Sequence, residues 1–141
     1  MGRAPNHQQQ VTRTNMDINH LTEIVVNALE DVKAKDIKVF NTEHLTDQFE
    51  RVVIASGNSN RQTRALASSV AEDVKSNGGE VLSTEGRDTG EWVLVDLGQI
   101  VVHCLQPAVR EYYNLEEIWG GKEVFMQLDE DSRARVMPHR A

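Results

Sequence analysis

Two short apolar segments, Trp92–Asp96 and Ile100–Leu105, are separated by a connection that contains Gly98. Apolar segments rich in β-branched residues on both sides of a glycine turn are typical of a β-hairpin. One face of such a hairpin is apolar and needs a covering layer. The hairpin therefore predicts part of a sheet whose apolar face suits a core covered by helices.

The register of this hairpin decides which side chains share a face. If Gly98 and Gln99 form a two-residue loop, Leu94 pairs with His103 and Trp92 pairs with Leu105. One face then carries an entirely apolar set, namely Val93, Val95, Leu97, Ile100, Val102 and Cys104. The opposite face carries Trp92, Leu94, Asp96, Val101 and His103, with Asp96 and His103 as diagonal neighbours. A three-residue loop would separate Asp96 from His103, but the uniform apolar face favours the shorter loop.

The segments before and after the hairpin predict the other elements. The sequence-predicted elements are a helix N-capped by Asn19 and ending near Lys33, strands at Ile37–Phe40 and Arg51–Ala55, a helix over Asn60–Asn77, a strand over Glu80–Ser83, and a helix that Pro107 begins. The order is helix, two strands, helix, three strands, helix. It predicts a single α/β domain over residues 16–121, with a mixed sheet and helices packed across it. Residues 1–15 and 122–141 lack this periodicity and are expected to form a flexible N-terminal tail and a C-terminal tail.

The last predicted helix carries two stripes of side chains. Tyr112, Leu115 and Trp119 form one stripe, which we expect to pack in the core. Arg110, Tyr113 and Glu117 form a more polar stripe. That second stripe either faces a partner or is a solvated face with an internal contact between the arginine and a glutamate.

Composition excludes several functions. The net charge is -7, from 22 acidic and 15 basic residues, so the positive field needed for nonspecific nucleic-acid binding is missing. Cys104 is the only cysteine and lies in an apolar strand, where we expect a small buried hydrophobe. The five histidines have no ligand spacing, so neither a metal nor a cofactor is expected. No stretch approaches the roughly twenty apolar residues of a membrane span, and we expect a cytoplasmic protein.

Two groups of residues suggest chemistry. Asp96 and His103 could form an acid–base pair, but no serine or cysteine is placed to act as nucleophile, and the alternative is that they bond to each other or to local backbone. The turn Gly57–Arg61 precedes a helix and resembles a phosphate-binding turn. It lacks the glycine pattern and the lysine of such turns. The alternative is a tight turn capped by Asn58, Ser59 or Asn60.

Three segments in order, GNSNRQ after a strand, GEWVLVDLGQIVVHCL and REYYNLEEIW, resemble the ribosomal silencing factor family, RsfS, also called the Iojap family. The resemblance covers roughly Asp17 to Gly121. It implies a nucleotidyltransferase-like α/β fold without nucleotidyl transfer. It also implies binding to the large ribosomal subunit through the ribosomal protein numbered fourteen, which blocks subunit joining and represses translation under nutrient limitation. Homodimers are implied for the free protein.

The residues themselves agree with a protein that is not an enzyme. A nucleotidyltransferase needs two alternating strand carboxylates to hold metal ions, whereas Asp96 stands alone here, with Leu94 in the alternate position. Nucleotide binding by Asp96 and the Gly57 turn remains the alternative. The residues expected to contact the partner are Trp92, Asp96, His103, Arg110, Tyr113, Glu116 and Glu117.

Overall fold

The computed structural model describes residues 16–119. The predicted tails, residues 1–15 and 122–141, lie outside the described residues. The elements are α1 (Ile18–Asp31), β1 (Lys35–Asn41), β2 (Arg51–Ser56), α2 (Asn60–Ser76), β3 (Ser83–Glu85), β4 (Trp92–Asp96), β5 (Ile100–Leu105), α3 (Pro107–Tyr113) and α4 (Leu115–Trp119). None of the described helices is long and apolar enough to cross a membrane.

The strands form one five-stranded mixed sheet in the order β1-β2-β5-β4-β3. The β2–β5 pair is parallel and the other three pairs are antiparallel. This confirms the prediction of a mixed α/β sheet. The β4–β5 hairpin has the two-residue loop, because Leu94 pairs with His103 and Trp92 with Leu105.

The two faces of the sheet carry two separate apolar clusters. The larger cluster joins the apolar hairpin face to α1 and α2, and Val93, Val95, Val102 and Cys104 are fully buried in it. The smaller cluster lies on the opposite face and contains Phe40, Val52, Ile54, Leu105 and Leu115. Helices α3 and α4 thus cover part of the second face, next to β2 and β5. Trp92, Leu94 and Asp96 on β4 stay partly exposed.

Three local predictions are wrong. The side chain of Asp17, not Asn19, caps α1 by accepting a hydrogen bond from the His20 backbone N–H (3.2 Å). Strand β3 occupies Ser83–Glu85 rather than Glu80–Ser83, because its position is set by pairing with β4. The final helix is broken at Asn114, whose left-handed backbone (φ 52°, ψ 53°) separates α3 from α4. Asparagine adopts this conformation more readily than most residues.

The break changes how the last residues are placed. Leu115 packs in the smaller cluster and Trp119 packs against it, with the Trp119 ring 5.6 Å from that of Phe49. Tyr112 instead is 80% exposed. The prediction of a single core stripe holds for Leu115 and Trp119 and is wrong for Tyr112.

Candidate partner-binding face

Trp92 is the centre of the partly open sheet face. Its indole N–H donates to His103 Nδ1 at 3.0 Å, and its ring centroid lies 5.1 Å from that of Tyr113 on α3. Three elements therefore fix one aromatic surface, since Trp92 is on β4, His103 on β5 and Tyr113 on α3. We use the name aromatic–acidic face for the four predicted contact residues Trp92, Asp96, Tyr113 and Glu117, whose side chains are partly or fully exposed.

His103 is buried and holds the Trp92 indole in place by accepting its hydrogen bond. It is 8% exposed, and burial lowers its pKa from 6.5 to about 4. The ring is therefore neutral near pH 7, which leaves Nδ1 free to accept the indole hydrogen bond. A protonated ring would lose this acceptor.

Asp96 and His103 do not bond to each other. Asp96 Oδ1 accepts a hydrogen bond from the backbone N–H of Gly98 at 2.9 Å, within the hairpin loop. The two residues share a face, as the register predicted, but each has a different partner. This arrangement confirms the local-backbone alternative for Asp96 and gives no acid–base pair.

Arg110 is an internal cation rather than a solvated one. Its side chain is 7% exposed, donates to Glu116 Oε2 at 2.6 Å and 3.1 Å, and donates to Ser56 Oγ at 2.9 Å. The internal contact between arginine and glutamate therefore exists, and it joins α3, α4 and β2. The accessible residues of the polar stripe are Tyr113 and Glu117.

The turn before α2 is filled by its own side chains. Ser59 caps the helix by accepting from the Gln62 backbone N–H at 3.1 Å, and the Asn58 N–H donates to Gln62 Oε1 at 2.7 Å. The same Gln62 side chain donates to the carbonyls of Val32 and Lys33. The predicted capped turn is confirmed, with Ser59 as the cap. These donors are not available to a phosphate, which weakens the nucleotide-binding alternative.

Sequence reasoning did not find two exposed apolar side chains of the C-terminal helices, Tyr112 and Ile118, whereas it did predict Tyr113 as a contact residue. Tyr112 is 80%, Ile118 57% and Tyr113 54% exposed. Tyr112 and Tyr113 pack edge to face, with centroids 5.0 Å apart. Pro107 and Asn114 bound a helix of only about two turns. This spacing was the sequence signal that could have predicted a short helix with an exposed end.

Together the fold and the face define a single-domain α/β protein that presents exposed aromatic and acidic side chains next to a hydrogen-bonded support. Comparison with known proteins identifies the family. The family model described as "Ribosomal silencing factor during starvation" matches residues 15–140. The chain belongs to this family, as the resemblance of its motifs predicted.

Individual relatives agree with this assignment. The ribosomal silencing factor RsfS of Chromobacterium violaceum is 47% identical over 108 residues, which cover 77% of this chain and 88% of that protein. A crystal structure of a protein from the same organism has a TM-score of 0.74 and 45% identity, and covers 80% of this chain and 94% of that one. The mouse protein "Mitochondrial assembly of ribosomal large subunit protein 1" is 30% identical over 69% of this chain and 44% of its own length. The bacterial relatives are named as regulatory factors rather than enzymes.

Proposed function

We propose that this protein is a ribosomal silencing factor that binds the large ribosomal subunit through the ribosomal protein numbered fourteen. Bound there, it sterically blocks joining of the small subunit and represses translation under nutrient limitation. The family match supports the silencing role, and the name of the mouse relative supports the large subunit as the target. The observation that carries the proposal is the aromatic–acidic face, with Tyr113 half exposed on Trp92.

The charge of the chain supports a basic protein as the direct partner. A net charge of -7 repels the phosphates of ribosomal RNA and attracts a basic ribosomal protein. Aromatic side chains with charged neighbours are typical anchors of such interfaces. The docking residues are thus expected to meet protein rather than RNA.

The candidate contact residues divide by exposure. Tyr113 and Glu117 are exposed, whereas Trp92, Asp96 and Glu116 are partly exposed. His103 and Arg110 are buried, and we propose that they act by holding Trp92 and Glu116 in place. Direct contact is therefore proposed for the first two groups.

The test is co-sedimentation of the purified protein with large subunits, followed by an assay of subunit joining. Tyr113→Ala is the sharpest variant, because Tyr113 is exposed while Trp92 also packs against the smaller apolar cluster. We expect loss of both co-sedimentation and inhibition, with unchanged unfolding. Leu45→Ala is the matched control, because Leu45 is 49% exposed in the loop between β1 and β2. Equal binding by the two variants would remove this face from the interface.

The same face is proposed to mediate a homodimer of the free protein. Exposed aromatic side chains of this size can bury each other across a two-fold axis. Sedimentation at several concentrations measures the association, and Tyr113→Ala should weaken it. If the wild-type protein stays monomeric at all concentrations, the homodimer proposal is wrong. Ribosome binding would still be decided by its own test.

A further inference from the structure

A groove beside Trp92 extends beyond the residues assigned to the interface. The groove runs between the loop before β4 and helix α3, and its volume is about 340 Å³. Its lining includes Glu91, Ala108, Val109 and Tyr112 in addition to Trp92 and Tyr113. Ligand pockets range from about 300 to 1,000 Å³. The groove is at the small end of this range, which suits one long side chain better than a whole cofactor.

The aromatic side of the groove is a continuous series of rings. Trp92 and Tyr113 have centroids 5.1 Å apart, and Tyr113 and Tyr112 have centroids 5.0 Å apart. Tyr112 is 80% exposed, so a visiting group can reach its ring. Such ring faces attract cations.

The polar side of the groove is acidic. Glu91 is exposed and lines the groove, and none of the described lining residues is a lysine or an arginine. Within residues 16–119, the Glu91 carboxylate forms no salt bridge. A cation that stacks on the rings would therefore also meet a carboxylate that forms no salt bridge with the described residues.

The loop wall is held in place without a ligand. Arg64 on α2 donates to the carbonyl oxygens of Arg87 (2.7 Å), Asp88 (3.0 Å) and Thr89 (3.2 Å). Thr63 Oγ1 donates to the carbonyl of Gly90. These hydrogen bonds keep the segment before Glu91 against α2, so the groove is already formed and little ordering is needed for binding.

We propose that this groove receives an arginine side chain of the protein partner, whose guanidinium stacks on Tyr112 and Trp92 and pairs with Glu91. Arginine fits better than lysine because its planar guanidinium stacks on rings and donates in a fork to a carboxylate. The choice of a protein partner rests on the proposed function. The preference of the groove for a guanidinium group is independent of that function, because it follows from the rings and from Glu91.

The direct test is amide and indole NMR of the full chain titrated with argininamide and, separately, lysinamide in the millimolar range. Argininamide should shift the signals of Glu91, the Trp92 indole and Tyr112, with lysinamide clearly weaker. Glu91→Gln and Tyr112→Leu should each weaken binding about twofold to fivefold. Shifts that are spread over the acidic surface, or equal for both amides, would overturn the proposal, as would no shifts at all.

Ribosome binding provides the second arm. Glu91→Gln should reduce co-sedimentation with large subunits, while Glu72→Gln, an equal charge change on an exposed position of α2, should not. Equal behaviour of these two variants would overturn the role of the groove in docking. If the wild-type chain failed to bind large subunits but still selected argininamide, the proposed function would fall and the guanidinium site would stand.

Discussion

Replacing Glu116 with alanine tests whether this carboxylate is a structural group or an exposed contact. In the structure Glu116 Oε2 accepts two hydrogen bonds from Arg110, at 2.6 Å and 3.1 Å. The side chains of Arg110 and Glu116 are 7% and 15% exposed. Removing one partner of a buried pair leaves a charge in a poorly solvated site, which costs about 3–5 kcal/mol when burial is complete.

The expected loss for Glu116→Ala is near the lower end, about 3 kcal/mol, because Arg110 keeps its hydrogen bond to Ser56 Oγ at 2.9 Å. That is a large fraction of the roughly 5–15 kcal/mol that stabilises a typical domain. Urea unfolding followed by tryptophan fluorescence measures it, since Trp92 and Trp119 pack in the same cluster as Leu115. The protein should remain folded in water with a clearly lower midpoint.

Two further variants make this prediction refutable. Glu117→Ala changes the neighbouring exposed carboxylate and should alter stability by no more than about 0.5 kcal/mol. Arg110→Met combined with Glu116→Ala should recover part of the loss, because the stranded charge is gone. Equal stability of Glu116→Ala and Glu117→Ala would show that the buried ion pair does not hold α4 on the sheet.

Three more predictions concern single residues, His103, Gly86 and Cys104. Burial lowers the pKa of His103 from 6.5 to about 4, so the unfolded chain binds more protons between these values. The free energy of unfolding should be highest above pH 6.5 and should decrease by up to about 3 kcal/mol as the pH falls from 6.5 to about 4. The free energy of unfolding of His103→Gln, measured at the same pH values, should decrease less. Identical pH profiles of the two proteins would contradict the assignment. Gly86→Ala should destabilise by more than about 2 kcal/mol, because φ is +89° and the new Cβ would lie 2.1 Å from the Trp92 carbonyl oxygen. Gly78→Ala, with φ +90° and open space, should cost only about 1–2 kcal/mol in the same thermal melts. Burial raises the pKa of the Cys104 thiol to about 12, so a thiol reagent should label it only after unfolding; labelling of the native protein would refute this.

The hairpin shows how far a local pattern reaches. The bounds of β4 and β5, their register and the two faces agree with the prediction. Alternation has a period of two, so a wrong register would have moved every apolar side chain to solvent. Because such a slip would be energetically costly, the register of this hairpin can be predicted from a few consecutive residues.

The local errors have a common cause. The position of β3 is set by its pairing with β4. Strand β3 has only three residues, Ser83–Glu85, which is too short to show an alternation of apolar and polar side chains. Asp17 and Asn19 are both residue types that cap helices, and the sequence pattern does not rank Asp17 above Asn19. The break at Asn114 is a single left-handed residue inside an otherwise helical pattern. In each case alternatives of similar local energy are separated by contacts made elsewhere.

The chain by itself determined the α/β architecture, the sorting of the hairpin into one apolar and one mixed face, and the motifs of the silencing factor family. Only the tertiary structure decided which polar residues of that unit face inward. Arg110 reaches Ser56 on a strand 54 positions earlier, His103 accepts from Trp92 across the hairpin, and Arg64 holds a loop more than twenty positions away. Such partners depend on where distant segments meet in space, and the burial that results decides whether a charged group supports the fold or remains available to a partner.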